Sequence, residues 1–185
     1  MLSRAISAAP DAAYSATQSL RQCLGHFATG VAVVTYPTEG GPRGVTVNSF
    51  ASVSLDPPLV LICLKRGTKS AAHIQRSSFV VNVLNHRQRD LAKQFAGHRL
   101  DNELPLTWQW QDGIPRLAEN IAWLSCDPWS EHEAGDHVIV IGKVTAFETN
   151  AEHPLCFFRG NFLELNPSVG SQVGGANKVL KDAEK

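Results

Sequence analysis

Neither charge is in excess in this 185-residue sequence, no cysteine stands at metal or redox spacing from another, and no apolar run approaches a membrane span. Lys and Arg total 17 and Asp and Glu total 17, a formal net charge of +0. Nothing in that balance calls for nucleic acid or an acidic membrane surface, and a small or neutral partner is the more natural expectation. Cys23, Cys63, Cys126 and Cys156 are scattered, which argues against a zinc knuckle or a disulfide framework. Cys63 and Cys126 lie in apolar runs and read as small core residues. The first residues carry Arg4 and small side chains but no sustained hydrophobic region of a signal peptide, so a cytoplasmic protein is expected.

The common catalytic signatures are also missing. There is no G-x-S-x-G elbow and no cysteine with an obvious partner base, which leaves nucleophilic hydrolysis unsupported. Walker A and G-x-G-x-x-G patterns are absent, so a nucleotide, if one is used, sits on an antiparallel scaffold. The one dense polar cluster, Glu131 to His137, does not match H-E-x-x-H. A glycine-containing turn would scatter its side chains, and the expectation is a polar turn that orients one histidine.

What is present is a sequence rich in strands, 43% hydrophobic and 18% charged, as globular domains are. The chain is organised around Gly44 to Pro58. Val45, Val47, Ala51, Val53 and Leu55 are apolar while Thr46, Asn48, Ser52 and Ser54 are polar, the period-two alternation of a half-buried strand. Short hydroxyls and an amide on one face can lie beneath a planar ligand and hydrogen-bond to it. The alternation breaks at Ser49 and Phe50, where a bulge is expected, and Asp56-Pro57-Pro58 ends the strand.

Around it the pattern predicts a short helix within Thr17 to Phe27, a strand at Val31 to Tyr36 forming a hairpin into Gly44, and a strand at Leu59 to Leu64. Further strands are predicted at Phe79 to Leu84, Ile121 to Cys126, Val138 to Phe147 and Leu155 to Leu165, with a helix over Arg87 to Phe95 closed by Gly97. His98 to Gln111 reads as an irregular crossing whose Trp108 and Trp110 are packing residues. Between Lys65 and Ser70, basic side chains and hydroxyls meet a helix start, capped by Thr68 or Ser70. This is either a phosphate site or an ordinary capped surface helix. Residues 1–16 read as a loose extension, 17–165 as one domain, and 166–185 as a tail whose V-G-S-Q-V-G-G lacks the strand-turn-helix context of a dinucleotide loop.

The segments VTVNSFASVSLDPPLVLICLKRGTKS, QFAG, GDHVIVIGKV and PLCFFRG, in that order across Phe27 to Leu165, resemble the short-chain NAD(P)H:flavin oxidoreductases that serve two-component flavin monooxygenases. The resemblance implies a mainly β fold with flanking helices, the homodimeric FMN-binding split β-barrel. It implies FMN or FAD, with NADH or NADPH as the hydride donor, and a separate flavin-dependent monooxygenase as partner. By position, Thr46, Val47, Asn48, Ser49, Ser52 and Val53 would lie along the isoalloxazine and ribityl chain, and Lys65, Arg66 and Ser70 would face the phosphate. Phe95, Ala96 and Gly97 resemble a segment that closes over the flavin. His137, Phe158 and Arg159 resemble the nicotinamide side, with His137 positioning the reduced cofactor. Phe162 stands where many relatives carry tyrosine. Such chemistry needs positioning more than acid-base machinery.

Overall fold

A computed structural model describes residues 10–99, 102 and 104–165, without the side chains of residues 10–15 and 164. The expected tail and residues 1–9 of the expected extension lie outside it. Its strands form one seven-stranded sheet, ordered β3-β2-β6-β9-β10-β5-β4 and antiparallel at every pairing. These are β2 (Ala32–Tyr36), β3 (Arg43–Val47), β4 (Ala51–Leu55), β5 (Pro58–Lys65), β6 (Phe79–Val83), β9 (Ala122–Ala134) and β10 (His137–Thr149). A second sheet joins β1 (Thr29–Gly30), β11 (Leu155–Phe158) and β12 (Asn161–Glu164), and β7 (Trp108–Gln111) pairs with β8 (Ile114–Leu117) as a separate hairpin.

The predicted single strand from Gly44 to Leu55 is two strands on opposite edges of the large sheet. Residues 48–50 cross between them, and Ser49 stitches the crossing to β5: its hydroxyl donates to the Cys63 carbonyl (3.0 Å) and accepts from the Cys63 amide (2.9 Å). The two edges are thereby brought together into a barrel. Alternation holds on β3, where Val47 is buried, and fails on β4, where Val53 is 45% and Leu55 93% exposed. Among the described residues, edge strand β4 pairs only with β5. The bulge expected at Ser49-Phe50 falls instead at Val53, where the register slips between Ser52 opposite Val60 and Ser54 opposite Leu59.

Four other elements differ from the sequence expectation. Helix α1 spans Pro10–Leu24, earlier than predicted and including part of the expected extension. The supposedly irregular segment holds β7, turned into β8 by Asp112 and Gly113 with φ of 49° and 79°, the geometry that an Asp-Gly pair supplies to a tight hairpin. Leu155 to Leu165 is likewise a hairpin, turned at Arg159 and Gly160 with φ of 49° and 79°. The strands around Glu131 to His137 run 13 residues each, longer than their apolar patterns suggested, because pairing with β10 carries the exposed polar stretch of β9.

The main core gathers Val34, Val60, Ile62, Ile74, Phe79 and Cys126 inside the barrel. Gly142 keeps that core closed: a Cβ there would lie 2.7 Å from the Phe79 ring and 2.9 Å from Cys126 Cβ. Burial pushes the Cys126 thiol up to about 12, so it is a packing group, as the sequence suggested. A buried polar hub at Asn82 joins the β7–β8 hairpin to the sheet. Its amide donates to Val33 O and Thr35 Oγ1 (both 2.9 Å), and its oxygen accepts from the Leu117 amide (2.9 Å). Left unpaired, such a group costs about 1–3 kcal/mol.

Candidate functional site

Where β3 ends, the chain leaves two adjoining hollows of about 560 and about 250 Å³ that share Val31 and Asn48. Thr46 and Val47 of β3, the turn after β11 and helix α3 (Arg89–Phe95) wall the larger; Phe27 to Ala32 and Phe50 wall the smaller. Helix α3 follows a single 3₁₀ turn capped by Asn85, whose side chain accepts from the Arg87 amide (2.8 Å) while Gln88 returns a bond to the Asn85 amide (2.9 Å). The helix docks on β3 through Thr46, whose hydroxyl donates to the Ala92 carbonyl at 2.7 Å. Phe95 rests against Gly44, where a Cβ would stand 2.9 Å from its ring, and meets Trp108 edge-on at 6.2 Å. Gly97, with φ of 80°, ends this wall as predicted.

The hollows combine apolar surfaces with unused polar groups. Val31, Phe157 and Phe162 supply the apolar side. Asn48 is exposed and its amide has no partner among the described residues. Thr29 Oγ1, in the smaller hollow, is buried without a hydrogen-bond partner, which in a finished site points to a ligand. Beside them the β11–β12 turn presents Arg159. His26 Nε2 lies 2.5 Å from its guanidinium, its amide donates to the Gly25 carbonyl (2.9 Å), and its guanidinium stands 5.2 Å from the Phe158 ring centroid.

Not all the predicted residues converge here. Thr46, Val47, Asn48 and Ala96 line the larger hollow, and Phe95 and Gly97 flank it. Ser49 turns its hydroxyl to the barrel seam, and Ser52 and Val53 lie exposed on β4. Arg66 lines a separate cleft of about 420 Å³ with Thr68, Lys69, Glu131 and Glu133, where it bonds the Gly135 carbonyl (3.1 Å) and pairs with Glu133 (3.4 Å). Ser70 accepts a hydrogen bond from Tyr36 (3.0 Å), and Thr68, not Ser70, caps helix α2 (Lys69–Ile74). His137 is opposite Lys65 in the sheet, and its Nδ1 lies 2.8 Å from Asp136, whose carboxyl it holds below the ordinary aspartate range. The two regions are close in one respect: Lys65 follows the seam residue Cys63 by two positions, roughly 6.6 Å along the strand.

Sequence reasoning missed Val31, Phe157 and Asn161, and above all Arg89 and Lys93. The latter two stand four residues apart on α3 and therefore share one face, which was the available signal.

A family model described as the flavin reductase like domain matches residues 24–166. The chain belongs to this family. A probable flavin reductase of Rhizobium meliloti is 42% identical over 148 residues, 78% of this chain but 48% of that protein, so the chain spans about half of that relative. The reductase subunit HsaB of a flavin-dependent monooxygenase from Rhodococcus jostii is 37% identical over 80% of this chain and 77% of its own. In structure, the Streptomyces globisporus NADH:FAD oxidoreductase SgcE6, solved with NAD and FAD fragments, superposes with a TM-score of 0.77 at 36% identity, covering 84% of this chain and 96% of that one. The fold is thus the flavin reductase split barrel.

A flavin requires a flat slot with apolar faces and a polar edge. The paired hollows fit that chemistry on their own evidence: apolar Val31, Phe157 and Phe162, the unpartnered Asn48 amide, and the orphan hydroxyl of Thr29. Thr46 has spent its proton on Ala92 and can only accept. Among the described residues, no group of His, Cys, Asp and Glu is placed to hold a metal, and no helix is long and apolar enough to cross a membrane.

Proposed function

We propose that the protein is an NAD(P)H:flavin oxidoreductase that reduces FMN or FAD and supplies the reduced flavin to a separate monooxygenase. The observation carrying this reading is the groove at Thr29, Val31, Thr46 and Asn48, where the Thr29 hydroxyl and the Asn48 side-chain amide stand without partners among the described residues, beside apolar walls, in a chain of the flavin reductase-like family. When bound, a flavin would supply the electron sink for the hydride of the reduced nicotinamide. The chain supplies position. Val31, Phe157 and Phe162 hold the rings and exclude water, while Asn48 and Thr29 hydrogen-bond the polar edge. Lys65, Arg66 and Ser70 face the flavin phosphate, and Arg159 and His137 serve the nicotinamide.

Among the described residues Arg159 and His137 lie on separate turns, β11–β12 and β9–β10, with no bond between them, and a homodimer would let both serve one nicotinamide. Exposed apolar side chains support it: Leu20 and Leu24 on α1, Phe27 just after it, and Val53 and Leu55 on the β4 edge. The HsaB relative, named as the reductase subunit of a monooxygenase, supports the partner. All four cysteines are free thiols, in keeping with a reducing cytoplasm.

Purified protein should oxidise NADH or NADPH under anaerobic conditions only when free flavin is added, and the flavin should separate from it on gel filtration. No flavin-stimulated oxidation with either nicotinamide overturns the reading. Light scattering at the mass of one chain overturns the homodimer.

A further inference from the structure

The α3 wall concentrates positive charge in a molecule whose formal net charge is zero. Arg89, Lys93, His98 and Arg99 all line the larger hollow, and no carboxylate among the described residues does. The contrast with the cleft at Arg66 is instructive, because there Glu131 and Glu133 share the lining and Arg66 is already paired at 3.4 Å. Arg89 has no ion pair among the described residues; its guanidinium stands 5.8 Å from the Phe162 ring centroid, inside the hollow. Lys93 is half-buried and held back by Asp90 at 2.8 Å, one turn earlier on the helix. Asp90 itself lies outside the lining. A guanidinium without an ion pair and an ammonium shared only with Asp90, which lies outside the lining, stand on one wall and are a donor set for phosphate oxygens.

Resting on the proposed flavin reductase reading, we infer that Arg89 and Lys93 form a second anion seat, which takes the diphosphate of a dinucleotide lying in the groove. A mononucleotide such as FMN carries one phosphate, which the proposed function gives to Lys65, Arg66 and Ser70. The α3 seat adds affinity only for a ligand with a further phosphate, which is FAD on the flavin side or NAD(P)H on the nicotinamide side. It therefore acts as a selector of dinucleotides over mononucleotides.

The test is equilibrium binding, which needs no turnover. Fluorescence titrations of the full chain would compare FAD with FMN, and NADH with reduced nicotinamide mononucleotide. Replacing both Arg89→Gln and Lys93→Gln keeps good helix formers in α3. It should raise the Kd of one dinucleotide about tenfold, leaving its mononucleotide counterpart within about twofold. Loss confined to the FAD arm assigns the seat to the flavin, and loss confined to the NADH arm assigns it to the nicotinamide. Asp90→Asn, which removes the carboxylate from beside Lys93 without touching the groove, should tighten the same dinucleotide. Equal changes for mono- and dinucleotides, no change in either, or weaker dinucleotide binding in Asp90→Asn would overturn the seat. Absence of flavin-stimulated oxidation with dinucleotide selectivity intact would instead remove the enzyme reading and leave the seat standing.

Discussion

His26 Nε2 accepts from the Arg159 guanidinium at 2.5 Å while His26 Nδ1 lies 2.8 Å from the Gln22 carbonyl. A carbonyl can only accept and a guanidinium can only donate, so the imidazole is the neutral form with its proton on Nδ1. The end of α1 thus holds Arg159 beside the groove, with a second tie from the Arg159 amide to Gly25 (2.9 Å). Replacing His26 by alanine frees the guanidinium without removing its charge. Steady-state kinetics should show the nicotinamide KM rising about three- to tenfold, the loss of one modest hydrogen bond, with kcat nearly unchanged. His26→Gln, whose amide oxygen can accept, should recover part of that loss. An equal fall in kcat, or no change in KM, would remove His26 from its positioning role.

Gly44 is the floor on which Phe95 rests. A Cβ at this position would stand 2.9 Å from two ring atoms of Phe95 and 3.1 Å from Val33 Cγ1. Phe95 in turn ends the helix that carries Ala96 into the groove. Gly44→Ala should therefore weaken flavin binding about tenfold by displacing this wall. It should also cost roughly 1–3 kcal/mol of stability, as overpacking does. Fluorescence titration with FMN and urea denaturation read the two effects separately. Unchanged flavin affinity would show that the Phe95 segment does not shape the site.

Ser49 carries the barrel seam. Its hydroxyl both donates to and accepts from the backbone of Cys63, at 3.0 and 2.9 Å, where the chain crosses between opposite sheet edges. Ser49→Ala leaves both Cys63 groups short of a partner, and the expected loss is about 1–3 kcal/mol in urea denaturation. Flavin affinity should fall less than in Gly44→Ala, because the hydroxyl is turned away from the groove. A large affinity loss with stability unchanged would restore Ser49 to direct ligand contact.

The legible parts of the fold were those where local pattern and global burial agree. The β3 alternation, the β5 run, the α3 helix with its Gly97 stop and the Thr68 cap could each be read from neighbouring residues. β4 could not, because Ala51, Val53 and Leu55 alternate like a core strand yet lie exposed on a sheet edge that no described strand besides β5 pairs with. The Asp112-Gly113 turn was legible in principle, and reading the segment as irregular overlooked that signal. At the site, the structure brings Thr46, Val47, Asn48 and Ala96 together along one groove. The Ser49 bond to Cys63 spans 14 residues and is fixed by tertiary structure, which no local pattern encodes. Arg89 and Lys93 share a face of the predicted helix, but only the tertiary fold turns that face onto a hollow, which no local pattern encodes.

The pair at the β9–β10 turn makes a prediction in pH. His137 Nδ1 lies 2.8 Å from Asp136 Oδ1, and this hydrogen bond, followed by the charge of His137, holds the Asp136 carboxyl below its ordinary range. A depressed carboxyl contributes stability above its unfolded-state pKa, and that contribution is lost as pH falls through the folded value. The loss therefore falls in the acid range below about pH 4, the ordinary aspartate value being about 3.9. Asp136 is fully exposed, so the effect on global stability is small and the direct readout is the carboxyl itself. NMR titration should place the Asp136 midpoint below the ordinary value in the native protein and return it to that value in His137→Ala. On the proposal that His137 positions the nicotinamide, the same variant should raise the nicotinamide KM more than it weakens flavin binding. An Asp136 midpoint that stays depressed without the imidazole would show that another charge, Lys65 being the nearest candidate, sets it.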